Sequence, residues 1–420
     1  MVGVWGARMT EAEAKPATGE PADVLVIGGG IAGLTLGCAL GGAGVAVALV
    51  EPRPPALLTA AVFDGRTTAV AAGSQAALAA IGVWPAMAAE AQPILDIRVS
   101  DGHSPLFLHY DHREVGAEAL GYIVENRVIR GALLDYLSDL PNVTLVAGRH
   151  VARLDRDAAL ARATLDDDTF IEARLAVATD GRNSPTRRAA GIETTAWGYR
   201  QIGIVCMVHH EIDHCGVAQE HFLPAGPFAI LPMPGRRSSI VWTERADLAP
   251  ALLALDDDGL LAELTLRFGD YLGRLDIVGP RFSYPLGLMH AQHYAAPRLA
   301  LAGDAAHAIH PIAGQGLNIG WRDVAALAEV VIDALRLGSD PGSVATLERY
   351  ERWRRVENAM MLAATDALNR LFSNDIAPVR LIRAAGLAAV NRAPPLKRLF
   401  MRHAMGLLGD VPRLVRGEAL

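Results

Sequence analysis

From Val24 to Val50 the chain reads VLVIGGGIAGLTLGCALGGAGVAVALV, with no charged residue before Glu51. An apolar run of this length can cross a bilayer, so its internal pattern decides the fold. Val24-Leu25-Val26-Ile27 reads as a short strand, Gly28-Gly29-Gly30 as a turn, and Ile31 to Leu40 as a helix closed by Gly41 to Gly44. Val45 to Val50 reads as a second buried strand. Strands apolar on both faces suit a parallel sheet covered by helices, which argues against a membrane span. Gly28, Gly30 and Gly33 spell GxGxxG inside this unit. The first glycine permits a tight turn, the second lets backbone approach a pyrophosphate, and the third lets helix and strand pack closely. Helix N-terminal amides then face the phosphates. Glu51 ends the next strand, where a carboxylate accepts both ribose hydroxyls. This unit predicts dinucleotide binding and leaves the choice between a nicotinamide and a flavin open.

Outside this run, 420 residues with 51% hydrophobic and 20% charged side chains suffice for roughly two to three domains, each with its own core. That composition excludes disorder for the bulk of the chain. Alanine inflates the apolar fraction. A formal net charge of −7 gives no global attraction for nucleic acid. Lys15 and Lys397 are the only lysines, so nearly all positive charge is arginine. Cys38, Cys206 and Cys215 are odd in number and scattered, without CxxC. They point to a reducing, cytoplasmic setting and not to a disulfide framework. Residues 1–20 carry Arg8, Glu11 and Glu13 but no apolar core of a signal peptide, and read as a loose tail.

Two further motifs narrow the cofactor. Leu175 to Asp180-Gly181 reads as a buried strand running into a turn, with Arg182 and Arg187 just beyond; taken alone it is equally an ordinary Asp-Gly turn. Arg298 to Ala302 is a second strand ending at Gly303-Asp304. Pro311, Gly314, Gly316, Leu317 and Asn318 follow, then a helix from about Ile319 to Leu337. A carboxylate at a strand end can hold a polyol hydroxyl. A glycine-rich turn at a helix start brings amides against a flat ring and stabilises negative charge on it.

GxGxxG with Glu51, then Asp180-Gly181, then Gly303-Asp304, in this order and spacing, resemble the class A single-component flavoprotein aromatic monooxygenases. The resemblance runs from about residue 22 to 405. It implies FAD, with Asp304 on the ribitol chain, Pro311 to Asn318 along the isoalloxazine and Asp180 near the pyrophosphate. It also assigns flavin contacts to Arg66 of Asp64-Gly65-Arg66 and Arg127 of Glu125-Asn126-Arg127, and an adenine contact to the Val151 backbone. Finer stretches, Gly226 to Pro232, Tyr284 to Arg298 and above all Thr365-Asp366-Ala367-Leu368-Asn369-Arg370-Leu371-Phe372-Ser373-Asn374, resemble the ubiquinone-biosynthesis hydroxylases. That branch implies hydroxylation of a polyprenyl phenol by O2 through a flavin C4a-hydroperoxide. NAD(P)H or a ferredoxin-type carrier would supply the electrons, and other quinone-synthesis proteins are candidate partners in a complex. Three other readings stay open: an enzyme acting on a prenyl chain, one acting on a soluble phenol, and a non-catalytic subunit that holds substrate. No catalytic acid or base can be named from the sequence.

The expected fold class is α/β, a Rossmann-like FAD-binding domain with an inserted, mostly antiparallel substrate sheet and C-terminal helices. The flavin domain is expected at 21–95, 117–190 and 295–365, and the substrate sheet at 96–116 and 191–294. Strand-like patches such as Ile202 to Val208 and Ser238 to Trp242 mark that sheet, separated by turns and acidic runs such as Asp256 to Asp258, and Asp166 to Asp168 reads as a solvated hairpin turn. His209, His210, His214 and Cys215 invite a metal, but adjacent strand residues point to opposite faces, so none is expected. His307 and His310 flank the flavin loop, where packing is favoured over proton transfer. Within the C-terminal segment 366–420, residues 376–409 carry Arg380, Arg383, Arg392, Lys397, Arg398 and Arg402 among apolar residues, with no acid. This stretch reads either as helices packed on the core or as peripheral contact with the inner face of a membrane.

Overall fold

The computed structural model describes residues 17, 20–58, 65–102, 104 and 106–420. The expected tail over residues 1–20 lies almost wholly outside the described residues, as does Asp64. The apolar run folds as the strand Ala22–Ile27, the helix Ile31–Gly42 and the strand Val47–Glu51. Every residue of the second strand is buried, and the helix buries Gly33 to Gly41 without a break. Such a unit is apolar all round because it has neighbours on every side. Among the described residues no helix is long and apolar enough to cross a membrane.

Five parallel strands form the centre of the first sheet, in the order Leu299–Leu301, Phe170–Ala178, Ala22–Ile27, Val47–Glu51 and Val143–Ala147. Ile27 pairs with Ala178, and Ala178 with Leu301. Three strands adjacent in space therefore end together, and the three motif turns leave the same edge. That edge, beyond the carboxyl ends of a parallel sheet, is where α/β folds bind ligands.

A second sheet runs Leu275–Ala291, Thr194–His210, Arg237–Arg245, Gly226–Met233, Val217–Leu223, Asp96–Asp101 and Phe107–Asp111. It is antiparallel except between Val217–Leu223 and Asp96–Asp101. On one face Phe228, Ile230, Ile240 and Trp242 pack against Leu260, Leu264 and Phe268 of the helix Asp257–Phe268. Side chains alternate along a strand, so Ala229, Leu231 and Val241 face the other way, toward the first sheet.

The acidic run Asp256 to Asp258 lies between the strands Arg237–Arg245 and Leu275–Ala291, where it starts a helix. Asp256 accepts a hydrogen bond from the Gly259 amide at 2.8 Å, and Asp257 and Asp258 occupy the first helical turn. Carboxylates there satisfy free amides and complement the helix dipole. The long helix also begins at Gly316 instead of Ile319, because glycine and asparagine hide the apolar spacing of its first turn. His210 and His214 are held within the sheet: His210 lies 2.7 Å from the Ile212 carbonyl, and His214 2.8 Å from that of Met233.

The C-terminal segment forms the helices Ala377–Asn391 and Pro394–Ala404. Two of its basic residues are internal. Arg383 Nε donates to Asp101 at 3.0 Å, and Lys397 Nζ to Glu114 at 2.5 Å. They fasten the helices to the second sheet and its following turn, which leaves Arg380, Arg392, Arg398 and Arg402 exposed.

Candidate active site

The glycine turn shows a separate use for each motif glycine. Gly28 has φ +108°, and a Cβ there would stand 2.6 Å from the Thr179 carbonyl oxygen. A Cβ on Gly33 would stand 1.9 Å from the Gly28 oxygen. At Gly30 nothing lies within 4 Å of a Cβ position, and Gly30 borders a cavity between the two sheets. Two glycines thus close the turn, and the third leaves space at the N-terminus of a buried helix, the geometry that receives a pyrophosphate. Glu51 braces this turn. Its Oε2 accepts from the Gly29 amide at 2.6 Å, and its Oε1 from Arg53 Nε at 2.6 Å. Arg53, which sequence reasoning missed, borders the cavity; its position just past the acidic end of the strand was the available signal.

The other two motifs are locked together. Asp180 Oδ2 accepts from the Thr186 amide at 3.1 Å, while its Oδ1 is buried without a partner. Arg187 donates to the carbonyls of Ala305 at 2.7 Å and Arg182 at 3.0 Å, joining the Asp180 turn to the Asp304 turn. Asp304 is exposed to the cavity yet closely surrounded by protein. This desolvation raises its carboxyl, against the pull of His307, Arg182 and Arg66. Such a carboxylate gains from ligand hydroxyls.

Beneath Asp304 lies a buried charge cluster. Asp323 on the helix Gly316–Arg336 takes the Gly303 amide at 3.2 Å, Arg354 Nε at 3.0 Å and Asn358 Nδ2 at 2.9 Å, and lies 2.5 Å from His307 Nε2. Burial alone would raise this carboxyl, but His307, Arg354 and Asn358 outweigh it and hold it at about 2. An isolated buried charge costs several kcal/mol; four donors make this one an anchor for the turn that carries Asp304. His310, also flanking the loop, is buried with its ring 5.2 Å from Tyr199, and burial lowers it to about 4. It is neutral at pH 7.

Pro311, Gly314, Gly316 and Leu317 border the cavity. Gly314 has φ +61° and would press a Cβ to 2.9 Å from Ala69. Asn318 stands behind them: its Nδ2 donates to Ala69 O at 2.8 Å and Gly314 O at 3.0 Å, and its Oδ1 accepts from Ala71 N at 2.9 Å. It holds the turn against the strand Thr67–Ala71. Arg66 borders the cavity. Arg127 is paired with Glu125 at 2.5 Å; Asn126 and Arg130 on either side of it border the cavity instead. Val151 begins an outlying strand and packs on the main core.

These turns form the floor of one cavity of about 750 Å³ whose roof is the inward face of the second sheet. Ile97, Val99, Ala218, Ala229, Leu231 and Val241 line that roof, and Met401 and Met405 close one side. Ala229 and Leu231 lie in the Gly226 to Pro232 stretch, but strand register is what brings them together with Ile97, Val99, Ala218 and Val241.

The chain belongs to the FAD binding domain family, which matches residues 21–364. FAD is its cofactor, and the site fits it: the turn at Gly30 is open, Asp304 is aimed into the cavity, and the Gly314–Leu317 turn borders the same space. The chain is similar to ubiquinone hydroxylase UbiL of Rhodospirillum rubrum, 56% identical over 411 residues and 96% of each chain. It is 35% identical to 3-demethoxyubiquinol 3-hydroxylase of Escherichia coli, over 93% of this chain and 100% of that one. The human ubiquinone biosynthesis monooxygenase COQ6 is 32% identical, over 91% of this chain and 92% of its own. The crystal structure of p-nitrophenol 4-monooxygenase PnpA from Pseudomonas putida shares the fold, with a TM-score of 0.78 at 21% identity over 93% of this chain and 99% of that one.

Proposed function

We propose that this protein is an FAD-dependent monooxygenase that hydroxylates the aromatic ring of a polyprenyl phenol in ubiquinone biosynthesis. The observation that carries the reading is the cavity between the two sheets, in which flavin-binding turns face an apolar sheet. Sequence similarity to ubiquinone hydroxylases over nearly the whole chain supports it. Reduced FAD supplies the activation of O2. The chain's own part is to hold the cofactor on Gly30, Arg66, Asp180, Asp304 and the Pro311–Leu317 turn, to orient the phenol, and to exclude water with the sheet. NAD(P)H or a ferredoxin-type carrier provides two electrons.

A membrane contact through residues 376–409 belongs to the same reading. Leu399 is 49% exposed and Phe400 43%, on the helix that also carries Arg398 and Arg402, while Met401 on the inner side of the same helix borders the cavity. A helix apolar and basic outside, and cavity-lining inside, suits passage of a prenyl tail from an anionic bilayer.

The test is product analysis. Holoprotein given a polyprenyl phenol, a reductant and O2 is expected to yield a ring-hydroxylated phenol with its prenyl chain unchanged. A saturated or epoxidised chain would replace this reading with one in which the chain is the reacting group.

A further inference from the structure

The strand Arg237–Arg245 turns its residues alternately to the two faces of the second sheet. Ile240 and Trp242 pack toward the helix Asp257–Phe268, while Val241 and Thr243 border the cavity. Thr243 pairs with Gly203 on one side. On the other side Trp242 pairs with Phe228, so Thr243 comes alongside Pro227, and Pro227 pairs with Phe222. Phe222 packs against Ile312, which stands between Pro311 and Gly314 of the flavin turn. Thr243 is therefore at the end of the roof that meets this turn. The apolar stretch of the roof runs the other way. Leu231 pairs with Ser239, four positions before Thr243 and about 13 Å along the strand. Leu231 and Ile97 share one apolar cluster, and Ile97 also packs with Met401.

Among the described residues, four threonines border the cavity. Three have bonded hydroxyls: Thr67 Oγ1 donates to Ser239 Oγ at 3.0 Å, Thr68 Oγ1 to Asn126 Oδ1 at 2.6 Å and Thr179 Oγ1 to Gly28 O at 2.7 Å. Thr243 differs. It is 1% exposed, and its Oγ1 is buried without a partner. Its neighbours in the row cannot serve it, since Gly203 has no side chain and Pro227 no polar one. Gln201 reaches the same corner, because a Cβ on Gly226 would meet both side chains. Its amide is bonded elsewhere: Nε2 donates to Ala225 O at 2.6 Å, and Oε1 accepts from Asn369 Nδ2 at 3.1 Å. An unpaired buried hydroxyl costs free energy that a valine of the same shape would not. Rotation about the Cα–Cβ bond exchanges hydroxyl and methyl, and so turns the donor to the cavity without moving the backbone.

We propose that Thr243 is a substrate-binding residue whose hydroxyl donates a hydrogen bond to the phenol oxygen. This rests on the phenol reading above and names the residue that orients the ring within it. The roof is then divided by chemistry, with a donor for the polar head at the flavin-turn end and Leu231, Ile97 and Met401 for the prenyl chain at the other. A phenol held by its oxygen at one end and its chain at the other sits one way round in the cavity, and so presents the same ring carbons at each turnover. Thr243 moves no proton and breaks no bond; it sets the orientation of the ring.

The experiment separates binding from turnover. A short-chain prenyl phenol, and the same prenyl arene lacking the hydroxyl, are titrated into oxidised, FAD-loaded protein without reductant, and binding is read by difference absorbance of the flavin. Thr243→Val is expected to bind the phenol about 10-fold more weakly than wild type and the hydroxyl-free arene equally well. Thr243→Ser is expected to restore phenol binding. Without substrate, Thr243→Val should keep its FAD and unfold in urea at the same concentration as wild type or a higher one, because it loses an unpaired hydroxyl and keeps the shape. Wild-type phenol affinity in Thr243→Val, an equal loss of phenol and arene, or a destabilised Thr243→Val overturns the proposal. Binding that depends on Thr243, in a wild type that then hydroxylates nothing with reductant and O2, would fail the function reading alone. Wild type that binds no phenol and hydroxylates none fails both.

Discussion

The floor and the roof of the cavity are built on different rules. The floor is three turns, each a short contiguous motif at the end of a parallel strand, and its register with neighbouring strands is fixed by burial on both faces. The roof is one face of a largely antiparallel sheet, where Val99, Glu220, Ala229 and Val241 come from four strands and adjoin only through pairing. A cofactor common to many proteins is held by local sequence, and the substrate surface by register. Substitutions on the floor should therefore strike folding or FAD, and substitutions on the roof should strike substrate alone.

The most severe break is expected below the floor. Asp323→Asn leaves His307 without its buried counter-charge and Arg354 with Glu357 alone, and is expected to cost about 3–5 kcal/mol of stability in urea unfolding. The wild-type carboxyl titrates at about 2 in the folded protein, below the ordinary 3.8. The unfolded chain thus binds the proton first, so this stabilisation is complete above about pH 4 and drains away as pH falls toward 2. The variant should lack that component of acid unfolding.

Next in size, the two kinds of floor glycine should part company. Gly33→Ala drives a Cβ into the Gly28 carbonyl and is expected to lower stability by about 1–3 kcal/mol. Gly30→Ala meets nothing within 4 Å and is expected to fold normally while losing FAD, read as a colourless protein with an unchanged unfolding curve. Equal loss of stability in both would erase the distinction.

Smaller effects sharpen the contrast. Asp304→Ala removes a charged acceptor worth about 1.5–3 kcal/mol, so FAD affinity measured by flavin fluorescence should fall roughly 10- to 100-fold. Leu231→Ala on the roof is expected to leave the flavin spectrum intact and raise KM for the prenyl phenol about tenfold. A roof variant that sheds FAD would break the division.

The same contrast explains what could be read in advance. The strand–helix–strand unit, the Asp304 turn and the Pro311–Leu317 turn were legible because glycine and aspartate are placed by backbone geometry and leave marks at fixed spacing. Glu51 was located by its strand end, but its bonds to Gly29 and Arg53 depend on side-chain direction. Arg127, assigned to the flavin by resemblance, is paired with Glu125, while Asn126 and Arg130 border the cavity, a difference of side-chain direction that spacing does not show. The roof left little mark, since Val99, Ala229 and Val241 adjoin only across the sheet. Two of the six charges in the C-terminal block could not be placed for the same reason: Asp101 and Glu114, far away in sequence, take up Arg383 and Lys397.

The central claim is that the floor's flavin delivers oxygen to a phenol held by the roof. Its most direct test is turnover of a polyprenyl phenol by reduced holoprotein under ¹⁸O₂ in ordinary water, with the product read by mass spectrometry. One ¹⁸O atom on the aromatic ring of the product is the result the account predicts; product without the label, or reductant consumed with the phenol unchanged, would contradict it.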